Sequence, residues 1–165
     1  MKILNTFTQA QIESAQKELC VFVRAMAEDC QAKGWSFTAT DKAPESFKEL
    51  KSTTVEKHLL IANYDCESSI YGENDVNVLF RFWHDVSHLE VDQGFSLKGE
   101  TAAISKQLEQ AREFGISDLA YMMFYYDTIG QVEYYFRHKA FLKDQKSFVL
   151  DCVKYGLKYA ILIKN

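Results

Sequence analysis

A single proline and seven glycines in 165 residues leave little to interrupt helices, and they exclude a collagen-like, linker-rich or low-complexity chain. Cysteine is sparse and spread out. Cys20, Cys30, Cys66 and Cys152 form no Cys-x-x-Cys pair, which excludes a zinc ribbon and a dithiol redox motif. In a chain of this length they read as reduced thiols of a cytoplasmic protein. No apolar core follows Met1-Lys2, because Asn5, Thr6, Thr8 and Gln9 interrupt it, so no secretory leader is expected. The most apolar stretches, residues 119–126 and 159–163, fall far short of the ~20 residues of a membrane span, so no transmembrane segment is expected. Basic blocks are missing too. With a net charge of −4 and no cluster of Lys and Arg, a dedicated nucleic-acid or anionic-membrane surface is excluded. Small-molecule, lipid-like or protein partners fit better, and homo-oligomerisation stays open. Glycine-rich phosphate loops, serine nucleophile elbows and Cys-His signatures are likewise absent.

Apolar bulk is present in quantity. Hydrophobic residues make up 47% and aromatics 14%, with 12 Phe and 9 Tyr, enough for an aromatic-rich core in one domain spanning residues 1–165. Helical periodicity runs through most of the chain. Thr8 is placed to cap a first helix to about Lys33, with Ile12, Ala15, Leu19, Phe22, Val23 and Met26 on one face and Gly34 as the stop. Residues 35–44 read as a surface loop. Pro44 is placed to open a short helix through Leu50. Residues 55–62 read as another helix after a Ser52-Thr53-Thr54 start.

Asn74 or Asp75 is the expected cap of the next helix, which carries Val76, Leu79, Phe80 and Trp83 and ends by residues 92–94. Glu100 then opens a helix closed by Gly115. Ser117 is the cap of a longer helix through about Lys139, with residues 122–126 as central core and Gly130 as the point of a kink. A last helix runs from Asp144 to about Ile163. No segment shows sustained two-residue alternation, so the expected fold is all-α, a compact domain of about five to seven helices.

One stretch carries chemistry. His84 and His88 are one helical turn apart, with Asp85 three residues before His88, so all three project from an arc of about 100° on a helix. Glu100 follows after a glycine-containing link. As a first-turn residue its carboxylate faces the positive end of the helix dipole, which favours the ionised form that a ligand must have. Two imidazoles and two carboxylates suit zinc first, and also iron or manganese. Two of the four histidines thus fall within five positions. Satisfied surface histidines are the plainer alternative.

His84-Asp85-x-x-His88-x11-Glu100, with Gly99 directly before the glutamate, resembles the zinc motif of the fourth coenzyme Q (ubiquinone) biosynthesis protein family. The likeness runs on through Thr101-Ala102-Ala103 to Glu113-Phe114-Gly115, about a fifth of the chain. It implies a helical protein that binds a metal through His84, Asp85, His88 and Glu100. It also implies a lyase or hydroxylase role, removing the carboxyl group from a polyprenylated benzoate ring and hydroxylating it, in association with other biosynthetic proteins.

A second likeness competes. Residues 54–62 resemble the helix that carries the first histidine of HD-domain phosphohydrolases, which would be His58, and His84-Asp85 resembles their His-Asp pair. Asp118 or Asp127 would be the last ligand of a metal that activates water against phosphorus. The His-Asp-x-x-His order is also similar to a zincin helix, but Asp85 is one methylene shorter than that general base. Arg137-His138 could face the site from an aromatic-rich helix. A third possibility is a non-catalytic metal that ties two helices together.

Overall fold

A computed structural model describes residues 3–164. Met1 and Lys2, from which the reading of the leader starts, and Asn165 lie outside them. Helix α1 (Gln9–Ala32) begins where expected, because Thr8 and Gln11 form a reciprocal capping box. The Gln11 amide donates to Thr8 Oγ1 at 3.2 Å and the Thr8 amide to Gln11 Oε1 at 2.8 Å. Its buried face, Ala15, Leu19, Phe22, Val23 and Ala27, follows the apolar stripe in the sequence. Gly34, at φ +89°, turns the chain away in a conformation that costs a residue with a Cβ.

Two segments depart from the all-helical expectation locally. Strand β1 (Ser36–Thr40) lies where a loop is expected, and strand β2 (His58–Ala62) lies where residues 55–62 predict a helix. They pair in parallel, Ser36 opposite His58 through Thr40 opposite Ala62. Parallel strands require a crossover, which α2 (Phe47–Thr53) supplies from a Ser46 cap rather than from Pro44. Leu59 and Ile61 are buried while the residues between are half-buried. Leu60 at an outward position makes the run look continuously apolar, and such short runs do not distinguish strand from helix. Left-handed Glu56 and Lys57, φ 50° and 61°, bar a helix from running into it.

Helix α3 (Asn74–Val91) starts after Glu73, with no side-chain cap. It forms an antiparallel hairpin with α4 (Leu97–Phe114), which begins one turn earlier than expected because Ser96 caps it. Cross-links along the hairpin set its register. Trp83 Nε1 donates to Gln110 Oε1 at 3.2 Å, His84 faces Gln107, and Lys106 pairs with Glu90.

Helix α5 (Asp118–Tyr125), a π-helical turn (Tyr126–Gly130) and α6 (Gln131–His138) make one unbroken rod from the Ser117 cap to a left-handed Lys139. The expected irregularity near Gly130 is thus a π segment. The expected last helix is two, α7 (Gln145–Tyr155) and α8 (Leu157–Ile163). Gly156 separates them at φ 87°, ψ 153°, a combination essentially confined to glycine.

Among the described residues, with the rod counted once, seven helices and one two-stranded sheet make a fold that is mostly α. Among the described residues no helix is long and apolar enough to cross a membrane. All four cysteines are buried and free.

The core centres on three aromatics from three helices. Phe22 of α1 meets Trp83 of α3 edge-on at 5.2 Å and Phe124 of α5 edge-on at 5.6 Å, and Trp83 stacks on Phe124 at 5.8 Å. All three are essentially inaccessible to solvent. Edge-on and offset contacts of this kind each contribute about 0.5–1.5 kcal/mol beyond burial. Trp83 is anchored in this cluster, and His84 is the next residue.

Candidate metal centre

His84 and His88 point from consecutive turns of α3 toward the first turn of α4. His88 Nε2 lies 3.1 Å from His84 Nε2, and Glu100 Oε2 lies 3.2 Å from the first of these imidazoles, His84, and 3.4 Å from His88. Ligands about 2.0–2.1 Å from a tetrahedral zinc ion stand roughly 3.3–3.4 Å from one another. The triangle of the three atoms is therefore close to the size such an ion needs. His88 is fully buried, whereas the side chains of His84 and Glu100 keep 20% and 16% exposure, leaving one side of the triangle toward solvent.

The outer hydrogen bonds fix what the inner atoms can do. His88 Nδ1 lies 2.8 Å from the Gln93 carbonyl, which can only accept, so Nδ1 carries the proton. His84 Nδ1 likewise faces Gln107 Oε1 at 2.9 Å. In the neutral rings both Nε2 atoms then bear lone pairs, directed at each other and at a carboxylate. Three acceptors converge, and they need a positive charge between them, either a proton on one ring or a metal ion. Donation from Nδ1 to a carbonyl is the usual arrangement behind a metal-bound histidine.

Electrostatics agree. Burial would raise the Glu100 carboxyl, but the two imidazoles, which donate to it when they carry a proton on Nε2, hold it down at about 2. Burial opposes charging of His84, yet its bonds to Glu100 and Gln107 outweigh this and raise its pKa.

Local backbone places Glu100. Helix α3 ends on a left-handed Asp92, whose amide, with that of Gln93, bonds back to the His88 carbonyl, in a Schellman-type stop. This turn presents the Gln93 carbonyl to His88. The chain then passes Gly94 and enters α4 through Ser96, whose hydroxyl accepts from the Gly99 amide at 3.2 Å. A Cβ on Gly99 would collide with the Gly94 carbonyl oxygen and stand 3.0 Å from the Gly94 nitrogen. The glycine before Glu100 is thus a packing requirement of the link that aims Glu100.

Three of the four expected ligands, His84, His88 and Glu100, converge as a group that could hold a metal ion. Asp85 does not join them. The atoms that lie within reach of one ion come from the other three residues alone. Asp85 is half-buried. Burial lifts its carboxyl to about 6, with the Glu100 charge adding to the lift and His84, His88 and Arg81 opposing it.

His58 is also outside the group. On β2 rather than a helix, it has Ser36 Oγ 2.8 Å from Nδ1 and Thr38 Oγ1 3.0 Å from Nε2, so both ring nitrogens are engaged by β1. Asp118 sits in the first turn of α5, Asp127 bonds to Tyr71 and Gln131, and His138 packs on Tyr134 at 4.5 Å. None of these belongs to the group.

Gln107 and the Gln93 carbonyl were not legible as site groups beforehand. A signal for Gln107 exists, since seven residues after Glu100 places it two turns along the same face of α4. Aromatic rings wall the imidazoles. Phe80 stacks on His84 at 5.7 Å, and Phe95 meets His88 edge-on at 5.0 Å. Comparisons with protein-family models, curated proteins and solved structures find no match for this chain.

Proposed function

We propose that this is a metal-binding helical protein in which His84, His88 and Glu100 hold a divalent ion, zinc in the first instance. The coordination position on the solvent side is left for water or a small ligand. The observation that carries this reading is the convergence of two imidazole lone pairs and one carboxylate oxygen, each 3.1–3.4 Å from the others, with no donor among them in the neutral rings. Three protein ligands plus an open position is the composition of catalytic rather than closed structural zinc sites. An ion held so would polarise a bound oxygen atom and lower the pKa of a bound water.

The motif's likeness to the coenzyme Q biosynthesis family suggests the class of ligand, a small aromatic or prenylated molecule. The Phe80 and Phe95 rings beside the imidazoles are compatible with an aromatic guest. Metal-assisted decarboxylation or hydroxylation is the reaction this likeness proposes. A non-catalytic role is the second reading, favoured by the full burial of His88 and by the way the triad bridges α3 and α4. The phosphohydrolase reading needs His58 at the metal, and the engagement of His58 by Ser36 and Thr38 speaks against it.

The test is the metal content of the purified protein, and of the His58→Ala, His88→Ala and Glu100→Ala variants, after reconstitution with Zn2+. Stoichiometric metal lost in the His88 and Glu100 variants and kept in the His58 variant supports the site. A parent protein that takes up no metal overturns it.

A further inference from the structure

The crossover between the two strands reaches the metal centre. Helix α2 is seated by its Ser46 cap and by Leu50, which lies one turn in and is fully inaccessible to solvent. Its first residue, Phe47, is thereby laid against the link between α3 and α4. The approach is close, since a Cβ on Gly94 would stand 3.1 Å from Phe47 Cβ and 3.2 Å from its Cδ1, tighter than ordinary packing. The Phe47 ring meets that of Phe95 edge-on at 6.1 Å and lies 6.4 Å from the His88 ring, centre to centre, within the range of attractive aromatic contact. Lys51, one turn further along α2, places its ammonium 4.7 Å over the Phe47 ring and 3.3 Å from the Asp92 carboxylate. Both charged groups are exposed, so this ion pair orients α2 and contributes little to holding it. Residues 92, 94 and 95 are thus all met by α2, and residue 93 among them carries the carbonyl 2.8 Å from His88 Nδ1.

We infer that Phe47 is a positioning residue for the metal centre: packed on Gly94, it holds the 92–95 link, and with it the Gln93 carbonyl, against His88. The β1–α2–β2 unit is then a clamp on the His88 side of the triad and not an appendage to the helices. The inference rests on the metal-binding reading for its purpose, but the hold on the link can be measured without metal. The Gln93 amide bonds back to the His88 carbonyl at 3.2 Å and is released to exchange with solvent when the link opens.

Amide hydrogen exchange of the metal-free protein and Zn2+ affinity are compared for the parent, Phe47→Ala, Phe47→Leu and Val149→Ala. Val149 is buried in α7, which carries none of the triad or its link, so its truncation controls for a general loss of stability. In Phe47→Ala the Gln93 amide is expected to exchange about tenfold faster, beyond any change in Val149→Ala, and Zn2+ to bind about tenfold more weakly. Phe47→Leu keeps an apolar side chain on Gly94 and should show both effects at about threefold. Val149→Ala keeps the parent's Zn2+ affinity. A parent whose Gln93 amide exchanges freely, unchanged Gln93 protection or unchanged Zn2+ affinity in Phe47→Ala, or an equal loss of affinity in Val149→Ala, each overturns the inference. A parent that binds no Zn2+ removes the metal-binding reading, and the Gln93 amide then decides alone whether Phe47 holds the link. Should Phe47→Ala fail to fold, the same two measurements on Phe47→Leu decide the matter.

Discussion

The Nε2 atoms of His84 and His88 stand 3.1 Å apart, while both Nδ1 atoms donate in other directions, to Gln107 and to the Gln93 carbonyl. Glu100 closes the gap between them from α4. A cation there ties two helices together and stabilises only the folded chain. At a free Zn2+ concentration a hundred times the dissociation constant, the gain is about 2.7 kcal/mol. For a domain of this size that raises the unfolding midpoint by roughly 5–10 °C. Thermal melts with Zn2+ and with a chelator should differ by this amount in the parent and coincide in His88→Ala.

Gly99, buried in the first turn of α4, should tolerate no side chain. Adding a methyl drives it into the Gly94 carbonyl, and relief requires the Gly94–Ser96 segment or the first turn of α4 to move. Gly99→Ala is expected to lower stability by about 1–3 kcal/mol and to weaken Zn2+ binding, because Glu100 shifts with the turn. Gly115→Ala is the control. It places a Cβ in open space at φ +82°, which costs about 1–2 kcal/mol in backbone strain and leaves Zn2+ affinity unchanged. Urea unfolding and Zn2+ titration of both variants separate the two effects. Equal losses of Zn2+ affinity would show that the Gly94 contact does not aim Glu100.

Much of this arrangement was legible in sequence because helical signals are local. Thr8, Ser117 and Asp144 are caps where they were expected, and the spacing of His84 and His88 on one helix brings their rings together. Glu100 could be anticipated as a first-turn residue because Gly-Glu precedes a clean apolar stripe. What escaped depends on tertiary partners. The run from His58 to Ala62 becomes a strand because Ser36–Thr40 pairs with it, and that pairing leaves no mark on either segment alone. Asp85 belongs to the same pattern in sequence, while the group that converges is His84, His88 and Glu100. Gln107 escaped because an amide is unremarkable in sequence until a ring nitrogen is seen 2.9 Å from it.

Asp127 supplies a pH dependence away from the metal centre. It lies on the π turn, accepting from Tyr71 Oη at 3.1 Å and from Gln131 Nε2 at 2.7 Å. Burial pushes its carboxyl up to about 7, against the lowering effect of those two bonds. In the unfolded chain an aspartate titrates near ~3.9, so between these values the folded state holds a proton that the unfolded state has released. Stability from this group is therefore full below about pH 4, falls as pH rises toward 7, and stays at its lower level above. Asp127→Asn preserves the shape and can still bond to both partners without carrying a charge. The difference in unfolding free energy between variant and parent should move in favour of the variant from pH 5 to pH 8. A difference that is flat with pH would show that Asp127 is ionised in the folded protein throughout.

The roles of Asp85 and His58 can be decided with the same Zn2+ titration. Asp85 is not one of the three converging residues, and it should be dispensable for holding the ion. Asp85→Asn is then expected to change Zn2+ affinity by no more than about tenfold, whereas Glu100→Gln loses most of it. A loss in Asp85→Asn as large as in Glu100→Gln would place the Asp85 carboxylate on the ion and restore a four-ligand site. His58→Ala should leave Zn2+ affinity untouched. It removes two side-chain hydrogen bonds between β1 and β2, to Ser36 and Thr38, for a stability loss of about 1–2 kcal/mol. If His58→Ala abolished Zn2+ binding while Glu100→Gln did not, the imidazole of β2 would have to reach the ion, and the phosphohydrolase-like ligand set would replace the triad.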